Sequence, residues 1–352
     1  MTTKTAIGKG NPFGSHRVLE PKGVLPQPAL RIDNDMDKVF DNEILINVDT
    51  LNIDSASFTQ LEKEAGHDVA KIKNLILGIV KERGKMQNPV TGSGGMFFGV
   101  VERVGEALKG KCPLKPGDKV ASLVSLSLTP LRIDEILEIK PDIDQVRIRG
   151  QAVLFESGIY AKLPQDLPES LALAVLDVAG APAQTAKLVR PGDTVVIIGA
   201  AGKSGVLCSY EAKRRAGVTG KVIGMTSSQK GFDNLKEWGF CDVNLMADAT
   251  DALACYEAVR KATDGRLADV VINCVNIPNT EMSSILMCRD DGTVYFFTMA
   301  TSFTKAALGA EGVGKDVNMI IGNGYTKNHA EITLNILRES AAIRKLYEKL
   351  YT

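Results

Sequence analysis

The sequence predicts an α/β protein, a doubly wound parallel sheet preceded by a β-rich domain, and three observations carry that prediction. An apolar run, Thr194-Val-Val-Ile-Ile198, leads straight into a glycine turn and a helix-like segment. From residue 166 onward strand-like and helix-like stretches alternate, which is the pattern of βαβ units. Before residue 165, short β-like runs are punctuated by Pro and Gly.

Taken in order, strands are expected at Glu43-Ile-Leu-Ile-Asn-Val48, Gly99-Val-Val-Glu-Arg-Val104 and Lys119-Val-Ala-Ser-Leu-Val124. Between the first two, Ile72, Leu75, Ile76 and Val80 share one face of a helical period, which places a helix at about 69–80. After Leu163-Pro164 the pattern changes to an apolar helix over 171–179, in which Asp177 is the only charge. The turn Arg190-Pro-Gly-Asp193 then launches the first strand of the second domain. Further strands are expected at 220–225, 243–246, 269–275, 293–299 and 317–322, six in all with helices between them. The tail from Asn328 has helical periodicity.

The turn Gly199-Ala200-Ala201-Gly202-Lys203-Ser204-Gly205 is the most informative segment. Gly199 permits a tight turn, Gly202 and the small Ala201 let the backbone approach phosphates, and Gly205 lets the helix pack close to its strand. Free N–H groups and the positive helix end then face an anion, so the turn reads as a dinucleotide pyrophosphate site. A purely structural strand–turn–helix is the competing reading. A nucleoside-triphosphate P-loop would need glycine where Ile197 stands. An acid usually follows the second strand and bonds the ribose of NAD, yet here the segment is Met225-Thr226-Ser227-Ser228-Gln-Lys230. Small hydroxyls near a lysine suit the 2′-phosphate of NADP, so use of both cofactors or a lean to NADP is expected. An ordinary polar loop is the alternative.

Composition bounds the rest. A chain of 352 residues with 44% hydrophobic content suffices for two cores. Lys plus Arg and Asp plus Glu balance at 42 each, which leaves no electrostatic pull on nucleic acid or anionic membrane. The N-terminus, Met1-Thr-Thr-Lys-Thr-Ala-Ile-Gly-Lys-Gly, lacks the apolar run of a signal peptide, and no stretch approaches the roughly 20 apolar residues of a membrane span. Six cysteines, Cys112, Cys208, Cys241, Cys255, Cys274 and Cys288, show no C-x-x-C spacing and read as reduced cytosolic thiols. A cytoplasmic location is therefore expected.

The order of a β-rich domain, a nucleotide domain and a short helical return resembles the medium-chain dehydrogenase/reductase superfamily. Leu51-Asn-Ile-Asp54, Gly99-Val-Val-Glu-Arg-Val-Gly105 and Leu114-Lys-Pro-Gly-Asp-Lys-Val120 look like its recurring segments, and the Gly199-Ala-Ala-Gly202 turn is similar to that of its zinc-free reductases. The resemblance implies a GroES-like substrate domain over 1–165, completed by 325–352, and a Rossmann domain over 166–324. It also puts Asn52, Gly95, Met96 and Val178 where zinc-dependent members carry their ligands. None of these suits a tetrahedral N/S zinc site, and the cysteine-rich structural lobe is missing, so a zinc alcohol dehydrogenase is rejected.

Longer blocks sharpen the resemblance over essentially the whole chain. The segments beginning at His16, Leu51, Gly84 and Leu176, together with Gly322-Asn-Gly-Tyr325, look like the L-erythro-3,5-diaminohexanoate dehydrogenase family. That family implies oxidative deamination in lysine fermentation, in which 3,5-diaminohexanoate, water and NAD(P)+ give 5-amino-3-oxohexanoate, ammonium and NAD(P)H. A zinc-independent quinone or enone reductase and a non-catalytic dinucleotide-binding protein are the competing functions.

Amine oxidation sets requirements. Hydride can leave C3 only when its nitrogen has a free lone pair, so the ammonium must first lose a proton, at about 4 kcal/mol unless the site helps. A general base is needed, and acidic groups should meet the amines while a cation meets the carboxylate. Asp177 is the first choice for the base, being a lone charge beside the position of a lost zinc ligand; a helix-surface carboxylate is the bland alternative. Asp54 is second, in a segment that lines the superfamily's cleft, though a capping Asp is an equal reading. Lys85, before the loop Gly92-Ser-Gly-Gly95, is the candidate for the substrate carboxylate, against an ordinary solvated lysine. His16 is read as a structural histidine. Superfamily geometry places Val275, Asn276, Thr298 and Met299 near the nicotinamide. A homodimer is expected, paired through the last strand near 317–322.

Overall fold

The computed structural model describes residues 8–298, 300–322 and 324–351. The chain divides into two compact units, Met1–Glu169 and Ser170–Thr352.

The first unit is built on a six-stranded antiparallel sheet. Its strands, in chain order, are β3 (Glu43–Asn52), β4 (Met96–Val104), β5 (Lys119–Ser122), β6 (Leu131–Lys140), β7 (Gln145–Phe155) and β8 (Tyr160–Lys162). They follow a two-stranded ribbon of β1 (Val18–Glu20) and β2 (Arg31–Ile32), and lie in the order β6-β7-β3-β4-β5-β8. β7 shows why sequence alternation is partial here. Val146 and Ile148 point inward while Arg147 and Arg149 face out, but from Gly150 to Phe155 the strand is buried throughout. There Leu154 packs into the main core, and Val153 and Phe155 meet Met36, Val39 and Leu45 in a second cluster.

Two helices cover the main core face: α1 (Ser55–Ala65), through Phe58 and Leu61, and α2 (Val69–Arg83), through Ile72, Ile76 and Val80. Asp54 caps α1 by accepting from Ser57 N at 3.0 Å, and Asp68 caps α2 by accepting from Ala70 N at 2.8 Å. α2 stops at Gly84, whose φ is +73° and whose backbone runs so close to Ile32 that a Cβ would fall 2.0 Å from that carbonyl oxygen. The expected helix at about 69–80 is thus α2, while α1 and the β6–β7 hairpin escaped the sequence reading.

The second unit is a parallel sheet flanked by helices. After α3 (Glu169–Leu176), which begins at the unit boundary, and α4 (Gly180–Leu188), the strands and helices alternate: β9 (Thr194–Ile198), α5 (Lys203–Ala216), β10 (Lys221–Thr226), α6 (Gln229–Trp238), β11 (Val243–Met246), α7 (Ala252–Ala262), β12 (Ala268–Asn273), α8 (Glu281–Met287), β13 (Cys288–Phe296), α9 (Phe303–Gly312) and β14 (Asn318–Ile321). All pairings are parallel and the order is β11-β10-β9-β12-β13-β14. The chain therefore winds outward from β9 in both directions, and the crevice at the carboxyl ends of β9 and β12 is the topological switch point. Val195, Val196, Ile197 and Ile198 are all buried, as a strand covered on both faces must be.

The helices α10 (His329–Glu339) and α11 (Ala341–Tyr351) close the chain. They lie in the second unit, where Thr333 Oγ1 donates to Ala179 O at 3.2 Å, so the tail does not complete the first domain as the sequence reading had it. Its buried stripe, including Leu334, Leu337, Ile343 and Tyr347, finds its partners near α4 and α5 instead. Among the described residues no helix is long and apolar enough to cross a membrane.

Candidate active site

The glycine turn lies where βαβ geometry puts it, between β9 and α5. Gly199 has φ +80°, and a Cβ there would sit 2.6 Å from Val275 Cγ1; Gly205 is tighter, since its Cβ would come within 2.0 Å of Gly199 O. These two glycines are required by the protein's own packing. Gly202 is different: it is exposed, and an added Cβ would meet only Gly199 O, at 3.3 Å. Its missing side chain leaves open space at the start of α5, where among the described residues no side chain caps the helix. A cradle of that shape, with uncapped N–H groups facing it, fits a dinucleotide pyrophosphate.

The neighbouring strand ends assemble around the turn. Asn273, fully buried, donates to Thr280 Oγ1 and Ser284 Oγ at 2.8 and 3.0 Å and accepts from Val275 N at 3.1 Å, which fixes the chain as it leaves β12. Val275 thereby touches the turn. Thr298, beyond β13, donates to Asn276 Oδ1 at 3.3 Å, so these two nicotinamide candidates do come together. Met299 lies outside the described residues. At the end of β10, Ser228 is committed to capping α6, accepting from Gly231 N at 3.1 Å, and Thr226 Oγ1 packs against Gly231. Ser227 and Lys230 are exposed beside them.

Asp177 is not on an apolar helix: α3 ends at Leu176, and the residue stands in the turn before α4. Its Oδ2 accepts from Lys203 Nζ at 2.7 Å. The base candidate and the lysine of the glycine turn are thus one ion pair, which the sequence separation of 26 residues hid. Two tyrosines of α11 join them. Tyr347, fully buried, donates to Lys203 O at 2.5 Å, and Lys203 Nζ stands 5.7 Å from the Tyr351 ring centroid. Burial pushes the Tyr347 phenol well above its ordinary pKa, so it remains a donor. Nothing in the local sequence around Tyr347 signals this contact; only its place on the buried stripe of α11 does.

The remaining candidates belong to the first unit. Asp54 is a helix cap through Oδ1, while its buried Oδ2 has no hydrogen-bond partner among the described residues. The Gly92–Gly95 loop lies on the same segment, a Cβ at Gly95 falling 2.1 Å from Asn52 O. Beside it Ser57, Thr91 and Ser93 form a triangle of hydroxyls 2.7 to 3.0 Å apart, a cluster the sequence reading missed. Lys85 corrects the expectation most clearly. It is fully buried, and its Nζ donates to Pro26 O at 2.7 Å and Gln27 O at 3.2 Å. Burial, reinforced by Arg83, brings its pKa down to about 8. The lysine ties the 26–27 segment to the core and does not present its charge to a substrate. His16 is structural as read, its Nε2 2.8 Å from Glu43 Oε1.

A six-stranded Rossmann sheet with a glycine turn at its switch point, alongside a separate antiparallel β domain, defines a nicotinamide dinucleotide-dependent oxidoreductase of the medium-chain dehydrogenase/reductase superfamily. The fold is shared with the CurK enoyl reductase, at TM-score 0.53 and 17% identity over 88% of this chain and 78% of that one. Residues 205–319 match the family described as zinc-binding dehydrogenase, and residues 16–164 match the L-erythro-3,5-diaminohexanoate dehydrogenase N-terminal domain. The chain is 66% identical to the L-erythro-3,5-diaminohexanoate dehydrogenase of Acetoanaerobium sticklandii over 97% of its length and 99% of that protein's. It is 63% identical, at the same coverage, to the enzyme of that name from Fusobacterium nucleatum subsp. nucleatum. The chain belongs to the L-erythro-3,5-diaminohexanoate dehydrogenase family.

Zinc, which the description of the family matching residues 205–319 implies, does not fit the residues present. Gly95 has no side chain, Met96 is buried with a thioether, and Val178 is aliphatic, which leaves only the amide of Asn52.

Proposed function

We propose that the protein catalyses the oxidative deamination of L-erythro-3,5-diaminohexanoate in lysine fermentation. With water and NAD(P)+ the substrate ammonium form gives 5-amino-3-oxohexanoate, ammonium, NAD(P)H and a proton. The observation that carries this reading is the 66% identity across nearly the full chain to a relative of that name. The intact dinucleotide cradle supports it.

The bound dinucleotide supplies the hydride acceptor for C3. The chain's own residues do the rest. The N–H groups at the start of α5 hold the pyrophosphate, with Gly202 providing the approach and Lys203 the counter-charge. Val275, Asn276 and Thr298 flank the nicotinamide end of the crevice. Asp177, at Oδ2, takes the proton from the C3 ammonium so that the nitrogen lone pair can expel hydride; it releases that proton to solvent, accepts another from the water that attacks the resulting iminium, and returns this one to the nitrogen as ammonium leaves.

Two finer readings belong to the same proposal. The second Rossmann strand ends in Thr226-Ser227-Ser228 with Lys230 exposed nearby, which supports use of NADP as well as NAD. β14 is the outer strand of its sheet and exposes Ile321 at 58%, which supports a homodimer formed along that edge. The deciding experiment is 340 nm absorbance with 3,5-diaminohexanoate and either NAD+ or NADP+, with chelator present and lysine as control. Substrate-dependent reduction with ammonium release is expected; cofactor binding without reduction overturns the proposal.

A further inference from the structure

The ion pair between Asp177 and Lys203 joins the two halves of the reaction at one point. Lys203 is the residue immediately after Gly202 and opens α5, and its Nζ is held by Asp177 Oδ2 at 2.7 Å. Two further contacts hold the residue: Tyr347 donates to its carbonyl, and the Tyr351 ring lies 5.7 Å from its Nζ. Both side chains of the pair are a little over a quarter exposed, at 29% and 28%, so the pair is reachable and breakable. An incoming pyrophosphate brings two negative charges to the same helix end, and it competes with a single carboxylate for that ammonium.

We propose that Lys203 is a gate between cofactor and base: it holds Asp177 until a dinucleotide binds, then transfers its charge to the pyrophosphate and leaves Asp177 to accept the substrate proton. The proposal deepens the amine dehydrogenase reading and, in its second half, rests on it. Its chemical content is simple. The pyrophosphate and Asp177 compete for one ammonium, so cofactor binding and release of Asp177 from that ammonium favour one another. An order of binding follows, dinucleotide first and diamino acid second. Lys203 acts here as a positioning residue for Asp177 and as a direct contact for the cofactor.

The test is a double-mutant cycle on cofactor affinity, measured by isothermal titration calorimetry with NAD+ and NADP+ and no substrate present. Asp177→Asn removes the carboxylate from Lys203 and is expected to tighten dinucleotide binding about two- to fivefold, the range a partly exposed pair commands. In a Lys203→Met background the same Asp177→Asn change is expected to have no effect on Kd. Lys203→Gln serves as the neutral background if the Met variant does not fold, and Lys203→Arg, which keeps the charge, is expected to keep the gain. An unchanged or weaker Kd for Asp177→Asn overturns the gate. So does a tightening of equal or larger size in the Lys203→Met background, because that is plain charge repulsion without transfer. Since no substrate is used, these outcomes stand whether or not the diamino acid reading survives the absorbance assay.

Discussion

Alanine at Gly205 and alanine at Gly202 should have opposite consequences, although both positions belong to one turn of seven residues. At Gly205 the new Cβ would lie 2.0 Å from Gly199 O and 2.7 Å from Ala200 Cα, both backbone atoms. Ordinary contact needs more than 3 Å, so α5 has to retreat from β9 by about 1 Å, an overpacking cost of about 2–3 kcal/mol. For a domain of this size that lowers Tm by about 5–10 °C. At Gly202 the same methyl meets only Gly199 O at 3.3 Å, and the φ of −86° suits alanine, so Tm should change by less than about 2 °C. The methyl does, however, project where the pyrophosphate approaches, and dinucleotide Kd should rise at least about tenfold. Thermal unfolding without cofactor and calorimetric titration with it separate the two effects. A Gly202→Ala protein that melts as low as Gly205→Ala, or that binds the dinucleotide normally, would refute the division of the turn into packing glycines and a ligand glycine.

Further expectations follow from the first unit and the sheet edge. Lys85 holds its charge against burial, with a pKa near 8 in the folded protein and 10.5 outside it. Between those values the unfolded chain binds the proton the native chain has shed, so wild-type stability relative to Lys85→Met should climb with pH by about 2–3 kcal/mol from pH 8 to 10. Urea unfolding at both pH values checks this, and a flat difference means the Pro26 and Gln27 carbonyls hold the ammonium fully charged. Arg17→Met removes a fully buried guanidinium that pairs with both oxygens of Glu43 at 2.7 Å and donates to the carbonyls of Asp33, Asp35 and Lys38. A loss of about 3–5 kcal/mol is expected, because Glu43 is left charged in the interior; a loss under 1 kcal/mol would show that it is not. For the homodimer proposed above, Ile321→Lys on the outer strand should shift light scattering from dimer to monomer; a dimeric mass in the variant moves the interface elsewhere, and a monomeric wild type overturns the dimer.

How much was legible depends on the range of the physics involved. The six parallel strands could be located because each is an apolar run bounded by turn residues, a signal confined to a few positions. α2 showed itself by its periodic Ile72, Ile76 and Val80. α1 carries a shorter apolar face, and β6 exposes Asp134, Glu135 and Glu138 in a strand with irregular register, so neither showed a clean period. Asp177 looked helical because its neighbours are apolar, yet the helix stops one residue earlier.

By itself the sequence determined the fold class, the glycine turn and the family, because these are written in local periodicity, in backbone conformations only glycine adopts readily, and in long runs of matching residues. Only the tertiary structure decided where the charges stand and what they meet. Lys85 was withdrawn into the interior by carbonyls almost sixty residues away, and Asp177 was joined to Lys203 beneath two tyrosines from the end of the chain. The physical reason is that an ionisable group's role is set by what lies within a few ångströms of it, and those neighbours come from segments that no local pattern connects.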